Sequence, residues 1–134
     1  LYSFAQWLAL PVVLLYLLYR ISRDGRYRVR FEERLGFLPR SLEATPPGCI
    51  WLHAVSVGEV NSAVPLLGEI HRRYPDVPVF VSTTTLAGRA LAEQRLAGLA
   101  SGIFFAPLDY RSFVRRALSR LRPSLVVILE TEIW

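Results

Sequence analysis

Residues 49–59 read Cys-Ile-Trp-Leu-His-Ala-Val-Ser-Val-Gly-Glu, and this stretch decides the fold. Its first part is an apolar run with the length of a buried strand, and the run ends at His53 in a polar turn. A helical pattern follows directly over residues 58–74, where apolar residues recur on one face. A strand, a short polar turn and a helix in this order predict the first β/α unit of a parallel sheet.

The same unit repeats along the rest of the chain. Strands that are apolar throughout and alternate with helices are typical of a parallel sheet covered on both faces. We therefore expect an α/β fold, a Rossmann-like parallel sheet with flanking helices, preceded by a Pro- and Gly-rich linker at residues 40–48. The first strand is predicted at 49–55, further strands at 79–82, 103–106 and 125–129, and further helices at 86–97 and 110–121.

Each predicted strand ends in a polar cluster. Ligands of open parallel α/β sheets bind outside the carboxyl ends of the strands, so these clusters predict one wall of a binding site. Capping of the following helices is the alternative role for the hydroxyl residues, and His53 has the alternative of a satisfied strand-end histidine. The two acids after the last strand are harder to explain by solubility. The candidate binding residues are His53, Ser56, Gly58, Glu59, Thr83, Thr84, Glu130 and Glu132.

A further acidic pair precedes the linker. Glu32 and Glu33 lie among three arginines in residues 28–37, just before Gly36. One interpretation is a solvated helix that is held by ion pairs. The other interpretation is that one of the two carboxylates points into the cleft and acts as a general base.

The composition narrows the possible partners. All 16 basic residues are Arg and the net charge is +5, which suits anionic partners because guanidinium groups bind carboxylate and phosphate bidentately. Nucleic acid is disfavoured, since no stripe of alternating Arg and aromatic residues runs through the globular part. The sequence has a single cysteine, Cys49, and neither a dinucleotide-binding motif nor a phosphate loop. We therefore expect no metal site, a buried Cys49 and a reducing, cytoplasmic compartment.

An apolar segment opens the chain. Residues 4–19 are apolar except for Gln6, and sixteen helical residues rise about 24 Å, less than the ~30 Å hydrocarbon core of a bilayer. A tilted transmembrane anchor and a helix lying in one leaflet are both consistent with this length, and a buried core helix is the third possibility. A signal peptide is disfavoured, because the usual basic n-region is missing and no cleavage site follows the apolar run.

This segment also divides the chain. We expect a membrane-anchoring helix over residues 1–22 and a domain over residues 23–134, on the cytoplasmic side of the membrane. An Arg-rich stretch follows the apolar run, as expected for contact with lipid phosphates. The candidate contact residues are Arg20, Arg23, Arg26, Arg30 and Arg34.

Taken together, these motifs resemble the N-terminal domain of the 3-deoxy-D-manno-octulosonic acid (Kdo) transferases. The resemblance covers the whole chain in order, and its most specific elements are the Glu-Arg-Leu-Gly and His-Ala-Val-Ser-Val-Gly-Glu runs. One position departs from the family pattern, since Glu32 stands where the family usually has Gly. The segments that carry the resemblance are residues 33–37, 53–59, 75–78, 83–85 and 130–134.

The resemblance implies an inverting glycosyltransferase of the two-Rossmann-domain (GT-B) type, which transfers Kdo from CMP-Kdo to a lipid A precursor (lipid IVA) in lipopolysaccharide synthesis. It implies no metal and no cofactor. The N-terminal domain binds the acceptor at the bacterial inner membrane and its anionic lipids, while a C-terminal domain holds CMP-Kdo. Glu33 corresponds to the general base. Because the chain offers no second sheet for the donor, we expect it to be inactive alone.

Two other functions are consistent with the same residues. The first is another membrane-associated two-domain glycosyltransferase that acts on a different lipid or polysaccharide acceptor. The second is a membrane-tethered, Rossmann-like binding module without chemistry of its own. The segment around Glu33 separates the two classes, because a binding module has no need to aim that carboxylate into the cleft.

Overall fold

The computed structural model describes residues 11–13, 15–16, 18–19, 22–23, 25–28, 30–39, 42 and 45–129. A 3-10 turn at Gly25–Arg28 precedes the domain. The helices are α1 (Phe31–Arg34), α2 (Val57–Arg73), α3 (Leu86–Arg95) and α4 (Arg111–Leu121), and the strands are β1 (Ile50–His53), β2 (Val79–Thr83), β3 (Gly102–Phe105) and β4 (Leu125–Ile128).

The four strands form one parallel sheet in the order β3-β2-β1-β4. The chain builds outward from β1 to β3 and then crosses back to add β4 on the other side of β1. The predicted β/α alternation is confirmed, and the predicted element boundaries differ from the observed ones by one or two residues. Ligands of such sheets bind in the crevice outside the carboxyl ends of the strands at the point where the strand order reverses, which here lies between β1 and β4.

Apolar side chains cover both faces of the three strands β1, β2 and β3. On one face, residues of β1 and β2 such as Leu52 and Val81 pack with α2 and α3. On the other face, an aromatic layer that includes Trp51 and Phe104 packs against α4. Cys49 lies in this second layer, fully buried as predicted, and burial raises the pKa of its thiol.

The fourth strand differs from the expectation of a sheet covered throughout. Leu125, Val126 and Ile128 are exposed, although all three are apolar. Successive side chains of a strand point to opposite faces, so both faces of β4 are accessible. The physical reason is that β4 lies at the edge of the sheet and pairs with β1 alone among the described strands.

The predicted anchor at residues 1–22 falls mostly outside the described residues. Those that are described between positions 11 and 23 are helical, and Val12, Leu15 and Leu18 are more than half exposed. These three side chains are therefore not part of the domain core. Within the described part of the chain, no helix has both the length and the apolar character that a membrane crossing requires.

Helix α1 is fastened to α4 and to the loop that follows β3. The Arg116 guanidinium donates to the Leu35 carbonyl at 2.6 Å and lies 4.0 Å from the centroid of the Phe37 ring. The backbone N–H of Leu108 donates to the Arg34 carbonyl at 2.9 Å. Gly36 adopts φ +82°, and a Cβ there would collide with the Phe113 carbonyl oxygen. Only glycine allows this approach without strain.

Gly36→Ala is therefore expected to lower the free energy of unfolding by about 2–4 kcal/mol, since a left-handed backbone and a backbone collision act together. Gly98→Ala is the matched control. Gly98 has the same φ of +82° but nothing within 4 Å of the added Cβ, so we expect a loss of about 1 kcal/mol. Urea unfolding of the two variants measures the difference, and equal losses would contradict the packing of Gly36 on α4.

Candidate active site

The carboxyl ends of β1 and β2 meet in a hydrogen-bonded group. His53 ends β1, and its Nδ1 lies 2.8 Å from the Ser82 hydroxyl oxygen on β2. The backbone N–H groups of Thr84 and Thr85 both donate to the Val55 carbonyl, at 3.2 and 3.3 Å. The loops that follow the two strands are thus tied together, and the structure brings the predicted His53 and Thr84 candidates to the same edge.

The turn from β1 into α2 has the geometry of a capping box. Ser56 is the N-cap residue, and its backbone N–H donates to Glu59 Oε2 at 2.5 Å. Both side chains are half-buried, and Gly58 between them is exposed. Capping, the alternative role considered for Ser56, is therefore present and also occupies one oxygen of Glu59.

The three threonines after β2 have three different environments. Thr85 caps α3, since its hydroxyl oxygen accepts from the Gly88 N–H at 3.0 Å. Thr84 is exposed, and its carbonyl accepts a hydrogen bond from the Arg34 guanidinium at 2.8 Å. Thr83 is fully buried, and its hydroxyl has no hydrogen-bond partner among the described residues. Of the two predicted ligand-binding threonines, Thr84 is accessible in this state and Thr83 is not.

An unpaired buried hydroxyl costs free energy, so Thr83→Val is expected to stabilise the protein by about 1 kcal/mol. The same substitution at the helix-capping residue Thr85 is expected to have the opposite effect on stability. Thr85→Val removes the hydroxyl that caps α3 and is expected to destabilise by about 1 kcal/mol. Thermal and urea unfolding of both variants measure these values, and a clear loss of stability in Thr83→Val would mean that its hydroxyl is satisfied.

Glu33 lies at the carboxyl end of β3. Its side chain is only 2% exposed. Oε2 accepts hydrogen bonds from the Arg89 guanidinium at 2.6 Å and from the Phe105 N–H at 2.7 Å. Oε1 accepts from Arg30, whose side chain is 48% exposed, at 3.2 Å. The carboxylate is thus on the same edge of the sheet as the strand ends, but it is buried and ion-paired instead of open to a cleft.

Arg89 of α3 is the principal partner of this carboxylate. It is 7% exposed, donates to Glu93 at 2.8 Å through Nε, and lies 4.6 Å from the centroid of the Phe105 ring. Sequence reasoning missed this residue. Its position in the sequence was the available signal, because Arg89 lies on the same buried face of α3 as Ala92. A charged residue on such a stripe requires an opposite charge.

The predicted phosphate-contacting arginines separate into different environments. Arg34 is buried, with its guanidinium 4.3 Å from the centroid of the Phe105 ring, so it presents no exposed guanidinium here, and its contact with phosphate stays a prediction. The physical reason is that α1 turns Arg34 inward, where Thr84 accepts its hydrogen bond. Arg30 and Arg23 are exposed, and Arg23 donates to the Tyr19 hydroxyl at 2.9 Å. Outside the described part lie Arg20, Glu130, Glu132 and the side chain of Arg26.

The two oxygens of Glu33 differ in what they can do. Oε2 is held by a buried guanidinium and a backbone N–H, which orient the carboxylate. Oε1 meets the half-exposed Arg30, and movement of that one side chain would make this oxygen available to a ligand. In the described ranges, no group of three or more His, Cys, Asp or Glu side chains could hold a metal ion.

Arg89→Met is expected to lower the free energy of unfolding by about 3–5 kcal/mol, because it leaves the Glu33 carboxylate buried without its main partner. Glu93→Gln, which removes a 54% exposed partner of the same arginine, is the control and is expected to cost at most about 0.5 kcal/mol. The double variant Glu33→Met with Arg89→Met should lose less than the two single losses combined. Additive losses in this double-mutant cycle would show that the ions do not stabilise each other.

The fold and the site together define the class of protein. It is a Rossmann-like α/β domain with polar and acidic groups at the carboxyl edge of its sheet. A family model described as 3-deoxy-D-manno-octulosonic-acid transferase (kdotransferase) matches residues 29–134. The chain belongs to this family of glycosyltransferases.

Individual relatives agree with the family match. The chain is 32% identical over 126 residues to the 3-deoxy-D-manno-octulosonic acid transferase of Haemophilus influenzae, which covers 92% of this chain and 29% of the relative. It is 29% identical to the enzyme of the same name from Chlamydia pneumoniae, over 94% of this chain and 29% of the relative. A probable mitochondrial 3-deoxy-D-manno-octulosonic acid transferase of Arabidopsis thaliana is 32% identical, over 92% of this chain and 27% of the relative.

The chain therefore spans less than a third of the length of these relatives. No solved structure matches it significantly.

Proposed function

We propose that this chain is the acceptor-binding part of an enzyme that transfers Kdo from CMP-Kdo to a lipid A precursor, lipid IVA, in lipopolysaccharide synthesis. The observation that carries the proposal is the family match over residues 29–134, which contains both Glu33 and the polar ends of the first three strands. The three relatives named above are all called 3-deoxy-D-manno-octulosonic acid transferases.

In the proposed reaction, Glu33 is the general base. Its carboxylate takes the proton of a 6′-hydroxyl of the acceptor, and the resulting oxygen attacks the anomeric carbon of Kdo while the bond to CMP breaks, with inversion. Oε1 is the oxygen assigned to this proton transfer, since Oε2 is occupied by Arg89 and the Phe105 N–H. The fixed Oε2 supports the role, because a base must be held in one orientation to act efficiently.

Arg30 has to leave Oε1 before the base can act. Its pairing with Glu33 is the longest of the contacts to the carboxylate, at 3.2 Å, and its side chain is half exposed. The phosphates of the acceptor offer this guanidinium an alternative partner with two charge-assisted hydrogen bonds. Acceptor binding would thereby free Oε1, which couples arrival of the substrate to availability of the base.

The acceptor itself is assigned to the crevice beside the end of β1. His53, Ser56, Gly58 and Thr84 are half-buried or exposed there, and Glu59 lies within the same turn. Glu130 and Glu132 follow β4 in the sequence and belong to the same proposal. Thr83 would join the site only if the loop after β2 moved, because its hydroxyl is buried.

The proposed location is the cytoplasmic face of the bacterial inner membrane. Exposed apolar side chains at Leu15 and Leu18, together with the exposed Arg23, are suited to an interface of acyl chains and anionic headgroups. The donor, CMP-Kdo, is assigned to the part of the enzyme that corresponds to the rest of the relatives' length. For this reason the chain alone is proposed to be inactive.

The base assignment is tested in the full-length enzyme with Glu33→Gln. The variant keeps the shape of the side chain but cannot accept the proton, so kcat for Kdo transfer to lipid IVA should fall by about 100-fold or more. Glu69→Gln is the matched control, since Glu69 is an ion-paired carboxylate on the exposed surface of α2, and it should transfer at the parental rate. Unfolding is measured in parallel, because Glu33→Gln also leaves Arg89 without its charged partner.

A folded Glu33→Gln enzyme with unchanged kcat would refute the base and leave Glu33 as a structural ion pair. The burial of the carboxylate is the observation behind this alternative role. A transferase with a different acceptor is distinguished by transfer assays with CMP-Kdo and lipid IVA. Such an enzyme would consume CMP-Kdo poorly or not at all under these conditions.

A further inference from the structure

Strand β3 lies at one edge of the sheet, since in the part of the chain that the structure describes it pairs only with β2. Successive residues of a strand direct their backbone groups to opposite sides of the strand. The Ala106 N–H donates to the Thr83 carbonyl of β2 at 2.8 Å, so the backbone groups of Phe104 also point toward β2. Those of Ile103 and Phe105 therefore point to the free edge. An edge that leaves such groups unpaired is a template for pairing with another chain.

These outward groups of β3 meet the buried ion pair. The Phe105 N–H donates to Glu33 Oε2 at 2.7 Å, and the Ile103 carbonyl accepts from Arg89 Nη2 at 3.3 Å. Arg89 Nη1 donates to the same Oε2 at 2.6 Å. A continuous path of hydrogen bonds therefore runs from the Ile103 carbonyl through the guanidinium and the carboxylate to the Phe105 N–H.

This path has the hydrogen-bond pattern of a neighbouring parallel strand. In a parallel pair, one residue of the added strand would accept from the Phe105 N–H and also donate to the Ile103 carbonyl. Glu33 supplies the acceptor and Arg89 supplies the donor. Their side chains are 2% and 8% exposed, so the two backbone groups that they bind are satisfied in a site from which water is nearly excluded.

We infer that Glu33 and Arg89 together take the place of one residue of a further strand, and that they close the sheet at β3 against pairing with a second copy of this chain. Charged side chains that point inward at an edge strand have this effect, because an added strand would have to displace them. Displacement here would separate two buried charges that lie 2.6 Å apart, which is strongly unfavourable.

This role goes beyond the proposed function and does not depend on it. Closure of the edge uses Oε2 of Glu33, whereas Oε1 is the oxygen that the proposed function assigns to proton transfer. The edge is closed whether or not the carboxylate is also a base, and the two roles are measured by different experiments.

Hydrogen–deuterium exchange with residue resolution on the full-length enzyme measures the cover at β3 directly. We expect the Phe105 amide to be protected in the parental enzyme, although it points away from β2. In the double variant Glu33→Met with Arg89→Met, this amide should exchange about 10- to 100-fold faster, the equivalent of one lost hydrogen bond to a charged group. The amide of Val81 in the inner strand β2 is the internal reference and should not change.

Analytical ultracentrifugation of the same double variant measures closure of the edge. Both charges are removed together, so neither remains buried without a partner. We expect the double variant to self-associate as its concentration rises, whereas the parental enzyme does not follow it. The Phe105 amide should regain protection in the associated form, because a second copy then pairs with β3.

Glu33→Gln is the matched control for a loss of stability. It leaves Arg89 without its charged partner, but the carboxamide oxygen can still accept from the Phe105 N–H, and Arg89 can still donate to the Ile103 carbonyl. This variant should therefore be less stable and yet sediment as the parental enzyme does. Self-association of Glu33→Gln to the same extent as the double variant would overturn the proposal, since lost stability would then explain both.

Three other results would also overturn the closure of the edge. They are rapid exchange of the Phe105 amide in the parental enzyme, a double variant that keeps the parental sedimentation, and self-association without renewed protection at Phe105. If the double variant does not fold, Glu33→Leu with Arg89→Leu tests the same expectation with another apolar packing. A change of kcat in Glu33→Gln concerns the base alone, so failure of the proposed function and failure of the closed edge are distinguishable.

Discussion

The buried ion pair between Glu33 and Arg89 is the constraint on which the site end of this domain depends. Two charges that are nearly excluded from water lie 2.6 Å apart, and removing either one would leave the other without compensation in a medium of low polarity. Because the two residues belong to α1 and α3, the helices are held in one relative position. The same carboxylate accepts the Phe105 N–H, so the end of β3 is fastened to both helices.

That geometry divides the carboxyl edge of the sheet into two parts. One part contains the Glu33 carboxylate at the end of β3, and the other contains His53 at the end of β1. Neighbouring strands lie about 4.8 Å apart, so two strand spacings separate these parts by roughly 10 Å. The half-exposed Arg30 adds a positive charge beside Oε1 of the carboxylate.

Local sequence patterns were sufficient to predict the helices and strands, but they did not predict the interaction partners of individual side chains. Capping by Thr85 was accessible to sequence reasoning, because hydroxyl residues before a helix cap it for local reasons. The inward position of Arg34 could not be predicted from the sequence, since Thr84, which accepts its hydrogen bond, lies 50 positions away. Arg89 was missed for the same reason: its partner is 56 positions distant, and its own segment reads as an ordinary Ala- and Leu-rich helix.

The order of apolar runs, polar turns and helical patterns was enough to specify a parallel α/β domain and the edge at which its polar residues gather. Hydrophobic periodicity and turn chemistry are encoded within a few neighbouring residues, which is why they can be read directly. The exposed faces of β4, the burial of Glu33 and the hydrogen bond between His53 and Ser82 came from the folded molecule alone. Burial and hydrogen-bond direction are properties of groups that are distant in the chain, and packing is what brings them within 3 Å of one another.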